Sequence, residues 1–238
     1  MIEPLTVIIP AAGAGKRMGM GCNKAFVSVA GVPVLAQCLK MLAETELVSR
    51  AVILVAPHEI AAAKSMLRDY GSEMFPCLEW QVAAGGKERQ DSVANGLALI
   101  SETEGYVAVH DGARPFAGRD VFLRTLEKAR RFGAAIAAVP LKDTVKFRNE
   151  QGLVVSTPER ASLCAVQTPQ IFEIGILRQA YAYLKQHPFA VTDDASLVEA
   201  AGYPVAIAEG SYENIKITTP EDLLLAEKIV QQEKHGTE

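Results

Sequence analysis

Leu5-Thr-Val-Ile-Ile-Pro-Ala-Ala-Gly-Ala-Gly-Lys-Arg-Met-Gly19 begins as an apolar, β-branched run and turns at once into a loop of small residues. The run reads as a buried strand. The loop holds Gly13, Gly15 and Gly19, and without side chains its backbone N–H groups can approach a ligand closely. Lys16, Arg17 and Lys24 put positive charge beside that backbone. Strand, bare amides and cations together suit the phosphates of a nucleotide. Three better-known loops are excluded. A Walker loop would need glycine at position 10 and Ser or Thr after Lys16, where the chain has Pro10 and Arg17. The third glycine falls one residue late for the dinucleotide fingerprint. No His-Arg-Asp or Asp-Phe-Gly follows, as a protein kinase would require.

Outward from this stretch, strand and helix patterns alternate. Helical spacing of apolar residues covers 34–47, 58–70, 91–100 and 120–132, with strand-like runs at 51–56, 78–83, 105–110 and 134–139. The repeated β-α order predicts an α/β fold with a mostly parallel sheet covered by helices on both faces. Ligands of such sheets lie beyond the carboxyl ends of the strands. The segments 10–19, 85–86 and 111–115 all follow strands, so they are expected on one rim. The rhythm breaks at 144–148 and 153–155, which flank the polar turn Asn149-Glu-Gln-Gly152 and read as a projecting hairpin arm. Later helices are expected at 175–186 and 194–201, a strand at 203–207, and a last helix opened by Thr219-Pro-Glu-Asp222, with a frayed tail from 231. No linker separates domains, so 1–238 reads as one domain with an arm insertion at about 141–160.

Composition narrows the partners. The chain has 238 residues, 49% hydrophobic and 22% charged, with a net charge of −4. That charge gives no global field for nucleic acid, so the loop cations must serve a local anion. No apolar stretch reaches the length of a membrane span. The four cysteines, at 22, 38, 77 and 164, have neither disulfide-scaffold nor zinc spacing. Scattered thiols and a Met-Ile-Glu-Pro start without a basic-then-apolar leader point to the cytoplasm.

Several later residues suit phosphate chemistry. Gly85-Gly86 opens a helix whose first N–H groups lack intrahelical partners, with Arg89 as an anion holder and Ser92 able to hydrogen-bond locally. Asp111, at the end of a central strand, is placed to hold Mg²⁺, which takes few ligands from protein and the rest from phosphate and water. Arg114 can form bidentate phosphate contacts. His110 lacks partner spacing and reads as a packed or hydrogen-bonded residue. Lys216 falls in a short β-prone segment.

Seven motifs occur in order: Pro10–Gly19, Gly85–Val93, His110–Pro115, Asp143–Lys146, Gln167–Gln170, Thr192–Ser196 and Asn214–Lys216. Each is weak alone. Together they make the chain resemble the 2-C-methyl-D-erythritol 4-phosphate cytidylyltransferase family over nearly its whole length. The resemblance implies a Rossmann-like nucleotidyltransferase three-layer sandwich, transfer of CMP from CTP to methylerythritol phosphate with Mg²⁺, and a homodimer clasped by β-arms. It assigns transition-state stabilisation to Arg17 and Lys24, and the surroundings of the cytosine to Ala11, Ala12, Gly86 and Ser92. It puts Asp111 near the metal and both substrates. Arg160 and Lys216 position the acceptor phosphate, and Thr144, Thr168 and Thr192 contact the acceptor. Thr144 and Arg160 lie on or near the arm, which suits action in a partner's site.

Two departures stand out. Asn23 precedes Lys24 where the family usually has proline, which implies a less rigid turn. Glu213, expected to bind a sugar hydroxyl of the substrate, precedes Asn-Ile-Lys where the family often has aspartate, so its carboxylate reaches one methylene further. Two other functions fit the same loops: a ribitol or pentitol 5-phosphate cytidylyltransferase, and a non-catalytic nucleotide-binding protein on the same fold.

Overall fold

The computed structural model describes residues 5–13 and 23–235. Gly15, Lys16 and Arg17 lie outside the described residues.

The first strand, β1 (Leu5–Pro10), sits in the middle of a seven-stranded sheet. It pairs in parallel with β4 (Val48–Val55) on one side and β6 (Tyr106–Val109) on the other. Being flanked on both edges and covered on both faces, it is a near-continuous apolar run rather than an alternating one. β5 (Glu79–Ala84) extends the sheet beyond β4, again in parallel. Beyond β6 comes β10 (Cys164–Glu173), antiparallel to both β6 and β7 (Ala134–Pro140). β11 (Ala206–Glu209) closes the edge in parallel with β7. The order is β11-β7-β10-β6-β1-β4-β5, with β10 the one antiparallel strand of this sheet. A separate hairpin, β2 (Ser28–Val29) with β3 (Val32–Pro33), follows the first loop and has no counterpart in the expected elements.

Successive residues of β1 point to opposite faces and seed two cores. Val7 and Ile9 pack with Leu35, Leu39, Ile53, Phe122 and Leu126, beneath α1 (Val34–Glu44), α2 (Ile60–Met74) and α4 (Gly118–Phe132). Ile8 packs with Leu54, Val93, Phe172, Leu177 and Leu197, beneath α3 (Arg89–Ala98), α5 (Ile174–Gln186) and α6 (Asp194–Ala200). The last helix, α7 (Pro220–His235), supplies Ala226 to a small third cluster with Val29, Val34 and Ile217. The expected layered sandwich is what forms.

Four expectations need correction. β6 stops at Val109, leaving His110 and Asp111 just past the strand. The last strand lies at Ala206–Glu209 rather than from 203, and α7 runs to His235 instead of fraying at 231. The 213–218 stretch around Lys216 is not a strand. Two side chains and one backbone bond hold this connection instead. Gln167 Nε2 donates to the Ser211 carbonyl at 2.8 Å, Asn214 Nδ2 donates to the Thr168 carbonyl at 2.8 Å, and Ile217 N donates to the Ala113 carbonyl at 2.9 Å.

The arm leaves the sheet after β7. β8 (Phe147–Arg148) and β9 (Val154–Ser156) are shorter than the expected runs and, among the described residues, pair only with each other, antiparallel. Its turn is closed by Asn149, whose N–H donates to the Leu153 carbonyl at 3.0 Å and whose Oδ1 accepts from Leu153 N at 2.9 Å.

Candidate active site

Three strand ends deliver the site. The parallel ladder runs past β1, β5 and β6, as Ala11 N donates to the Leu54 carbonyl at 2.7 Å, Gly85 N to Val55 O at 2.7 Å and His110 N to Ile8 O at 3.0 Å. The connections after these strands therefore start from fixed positions on one rim. They line a cleft of about 280 Å³ with Ala11, Ala12, Gly13, Lys24, Gly86, Arg89, Ser92, Asp111 and Lys216. The turn at Gly85-Gly86 has no room for a side chain. A Cβ on Gly85 would lie 2.7 Å from that of Ala12, and one on Gly86 would lie 2.1 Å from that of Asp91. Ser92 braces the turn, its Oγ accepting from Gly86 N at 3.0 Å.

Asp111, 8% exposed, forms the floor. Its Oδ2 lies 2.6 Å from Lys216 Nζ, and its Oδ1 lies 3.4 Å from Arg89 Nε. Burial favours the neutral acid, but Lys216 first, then Arg89 and Arg114, outweigh it and hold the carboxyl well below the ordinary range. The backbone of Asp111 is fixed as tightly. Its N–H donates to Thr168 Oγ1 at 3.0 Å, and Thr168 Oγ1 sits 3.1 Å from His110 Nδ1. His110 Nε2 lies 2.9 Å from the Arg114 carbonyl, which can only accept. The ring is therefore protonated on Nε2, and the Thr168 hydroxyl donates to Nδ1. Burial is the main cause that pushes His110 down to about 4, keeping it neutral. His110 is thus hydrogen-bonded, in line with its sequence context.

Arg89 reaches the other way. Its Nη1 lies 2.5 Å from Asp194 Oδ2, and Tyr181 Oη donates to Asp194 Oδ1 at 2.8 Å. Burial would lower the Arg89 pKa, but Asp194 and then Asp111 push it upward, so it stays charged. The Tyr181 phenol is pushed upward by burial and by Asp194, so it remains a donor. Asp194, Gln167 and Asn214 fall within motifs of the sequence but carry no role of their own there, and Tyr181 lies outside every motif. The Asp193-Asp194 doublet is visible there as a helix start, and the N-cap is Asp193, whose Oδ1 accepts from Ser196 N at 2.9 Å.

A second cleft of about 480 Å³ adjoins the first, lined by Arg114, Thr168, Gln170, Thr192, Ser196 and Glu199. Arg89, Asp111 and Lys216 line both clefts and form the wall between them. Arg114 is more committed than its motif suggests. Nη1 donates to the Asn214 carbonyl at 2.7 Å and Nε lies 3.8 Å from Asp111 Oδ2.

Three expected site residues line neither cleft. Glu213 is exposed. Thr144 lies on the exposed stretch leading into the arm, and Arg160 Nη1 donates to the Lys142 carbonyl at 2.7 Å across the arm's base. The turn before Lys24 also differs from expectation. Asn23 is buried and hydrogen-bonded through both ends of its side chain, so the turn is held rather than loosened.

Glycine turns, a half-buried lysine and a cation-ringed carboxylate, gathered at the carboxyl rim of this sheet, define a nucleotidyltransferase sandwich of Rossmann-like build. Residues 5–232 match the family model described as 2-C-methyl-D-erythritol 4-phosphate cytidylyltransferase, and the chain belongs to that family. A protein of that name from Bacillus mycoides is 47% identical over 229 residues, covering 96% of this chain and 99% of its own. One from Alkaliphilus metalliredigens is 45% identical over 233 residues, covering 98% and 95%. The crystal structure of the Thermus thermophilus protein of that name superposes with a TM-score of 0.76 at 36% identity, covering 96% of this chain and 99% of that one. The 4-diphosphocytidyl-2C-methyl-D-erythritol synthase of Anaerococcus prevotii superposes with a TM-score of 0.83 at 30% identity, covering 96% of each chain. Among the described residues no helix is long and apolar enough to cross a membrane.

Proposed function

We propose that this protein transfers CMP from CTP to 2-C-methyl-D-erythritol 4-phosphate, releasing pyrophosphate, in isoprenoid precursor synthesis. The observation that carries the reading is the shared wall: Asp111, Lys216 and Arg89 stand between a glycine-lined cleft and a hydroxyl-lined one. The first suits a nucleotide and the second a polyol phosphate. An acceptor phosphate oxygen attacks the α-phosphorus of CTP, a new P–O bond forms, and the bond to the β-phosphate oxygen breaks. The attacking group is already an anion, so no strong base is needed. The difficulty is gathering negative charges, which positioned cations relieve. Lys24 and, by the family resemblance, Arg17 serve the phosphates of CTP in this reading, while Lys216 receives the acceptor phosphate at the wall.

The donor set suits Mg²⁺. Asp111 is ionised and is the carboxylate on the cleft floor. Among the described residues no three acidic, His or Cys side chains converge on a metal position. Such a set fits an ion that takes most ligands from phosphate and water. Bound there, Mg²⁺ would neutralise charge on the triphosphate. A homodimer completes the proposal. Phe147, Leu153, Val154 and Val155 of the arm are 59–65% exposed, an apolar surface that suits a second copy. Thr144 and Arg160 would then serve the partner's acceptor cleft. Three unpaired cysteines among the described residues suit a cytoplasmic setting.

Pyrophosphate release from Mg²⁺-CTP, with methylerythritol phosphate and ribitol 5-phosphate offered in parallel, tests this. Faster turnover of methylerythritol phosphate is expected. Preference for ribitol phosphate would move the acceptor, and CTP binding without turnover on either would leave a nucleotide-binding protein.

A further inference from the structure

Asn23 is 5% exposed and spends its whole amide. Nδ2 donates to the Ala11 carbonyl at 2.7 Å and to Glu59 Oε2 at 2.8 Å, while Oδ1 accepts from Ala25 N at 3.1 Å. The partners fix the orientation of the amide, since a carbonyl and a carboxylate only accept and a backbone N–H only donates. Its own carbonyl accepts from Phe26 N at 3.0 Å, starting the 3₁₀ turn Lys24–Phe26. Glu59 in turn accepts from Ala56 N at 3.3 Å and belongs to the turn Pro57–Glu59 that follows β4. One side chain thus joins three pieces: the end of β1, the turn after β4 and the turn that carries Lys24. It also closes the chain on itself, because Ala11 and Asn23 are 12 residues apart and bracket the segment holding Gly15, Lys16 and Arg17. Fixing both stems of a loop removes much of the entropy that a catalytic constellation would otherwise have to spend on ordering.

We infer that Asn23 is the positioning residue of the nucleotide cleft, holding Lys24 and the Ala11–Gly13 floor in register through Ala11 and Glu59. This rests on the reading that Lys24 serves the phosphates of CTP. The role is geometric: Asn23 has φ −68°, a value proline also adopts, so a φ-locked residue can replace part of what the hydrogen bonds do.

The test compares Asn23→Ala, Asn23→Asp and Asn23→Pro by steady-state kinetics on Mg²⁺-CTP and methylerythritol phosphate. Asn23→Ala should lower kcat about 10- to 100-fold, the scale of a small misplacement. The acceptor KM should stay within about threefold, because the acceptor cleft lies beyond the Asp111 wall. Asn23→Asp, which points a carboxylate at Ala11 O and the Glu59 carboxylate, should fall further. Asn23→Pro should exceed Asn23→Ala. Wild-type kinetics in Asn23→Ala, or an Asn23→Pro no better than Asn23→Ala, overturns the inference. Should Asn23→Ala not fold, Glu59→Ala takes its place, with about a threefold fall in kcat expected and unchanged kinetics overturning it. Hydrogen exchange at the Ala25 amide is read alongside. Faster exchange in Asn23→Ala supports the clasp even if the wild type proves inactive on this acceptor, so failure of the clasp and failure of the substrate assignment are told apart.

Discussion

At the cleft floor, Asp111 touches Lys216 and Arg89, its backbone leans on Thr168, and Thr168 leans on His110. On the arm, β8 and β9 hold only each other, and their apolar side chains face solvent. The first region is polar and buried, with a partner for each of those groups. The second is apolar and exposed. A buried polar cluster is stable only when satisfied, and it then holds charges in place before any ligand arrives. An exposed apolar hairpin gains nothing from water and gains most when another surface covers it. Preorganisation thus resides at the floor, and the arm carries the surface on which the proposed dimer would assemble.

Breaking the floor should have the largest effect. Asp111→Asn removes the charge that pairs Lys216 and Arg89 and takes away the buried carboxylate of the cleft floor. We expect turnover to fall about 10³-fold, the upper range for loss of a preorganised electrostatic contact. Pyrophosphate release measures it, and a loss under tenfold would show that the floor is not organised around this charge. Next comes Asp194→Asn, which leaves the half-buried Arg89 with a weaker partner. Removing one member of a fully buried pair costs about 3–5 kcal/mol, and the partial exposure of Arg89 should bring the loss below that range. The urea midpoint should drop accordingly, whereas Glu150→Gln on the arm's turn should leave it unmoved. Equal effects would erase the contrast between the two regions.

The floor should also carry a pH signature. Burial depresses His110 from 6.5 to about 4. Below pH 6.5 the unfolded chain binds a proton that the folded chain refuses. Stability is therefore complete above about 6.5 and is lost as pH falls toward 4, by about 3 kcal/mol. Asp111, also depressed, loses its contribution in the same direction but lower, below the ordinary carboxylate range. Urea unfolding at pH 7.5, 5.5 and 4.5 reads the histidine window. His110→Gln should flatten the slope, since glutamine can still donate to Arg114 O and accept from Thr168. An unchanged slope in that variant would assign the pH dependence elsewhere.

What can be read in the chain follows the same division. The parallel sheet is visible because β1 and β4 are β-branched runs with helical spacing after them and β7 is an alanine-rich run with helical spacing before it, a signal carried locally. Asp111, Gly86 and Ser92 are legible because each sits at a strand or helix end, where connection chemistry is written in sequence. Asp194 and Tyr181 escape such a reading because their roles depend on Arg89, 105 residues from Asp194. The β-prone residues around Lys216 form no strand for a similar reason. The Gln167 and Asn214 side chains tie this connection to β10, and no local pattern announces that a side chain will stand in for a ladder. Asn23 reads as a loosened turn in sequence because its neighbours there are uninformative, while its partners Ala11 and Glu59 are remote.

The smallest effect on the fold, and the sharpest test of the contrast, is expected from Val155→Ser. Val155 is 65% exposed, so the isolated chain loses almost no buried area when it is replaced. Substitutions at such positions change stability by about 0.5 kcal/mol or less, so the urea midpoint at high dilution should not move. At higher concentration the same substitution should shift sedimentation toward the monomer, because a hydroxyl would now lie in the surface that two arms would share in the proposed dimer. Deleting 148–153 should do the same more completely and raise the acceptor KM, since Thr144 and Arg160 would lose the copy they serve. An unshifted sedimentation profile with an unchanged acceptor KM would make the arm a surface flap, and the acceptor cleft would then have to be complete within one chain.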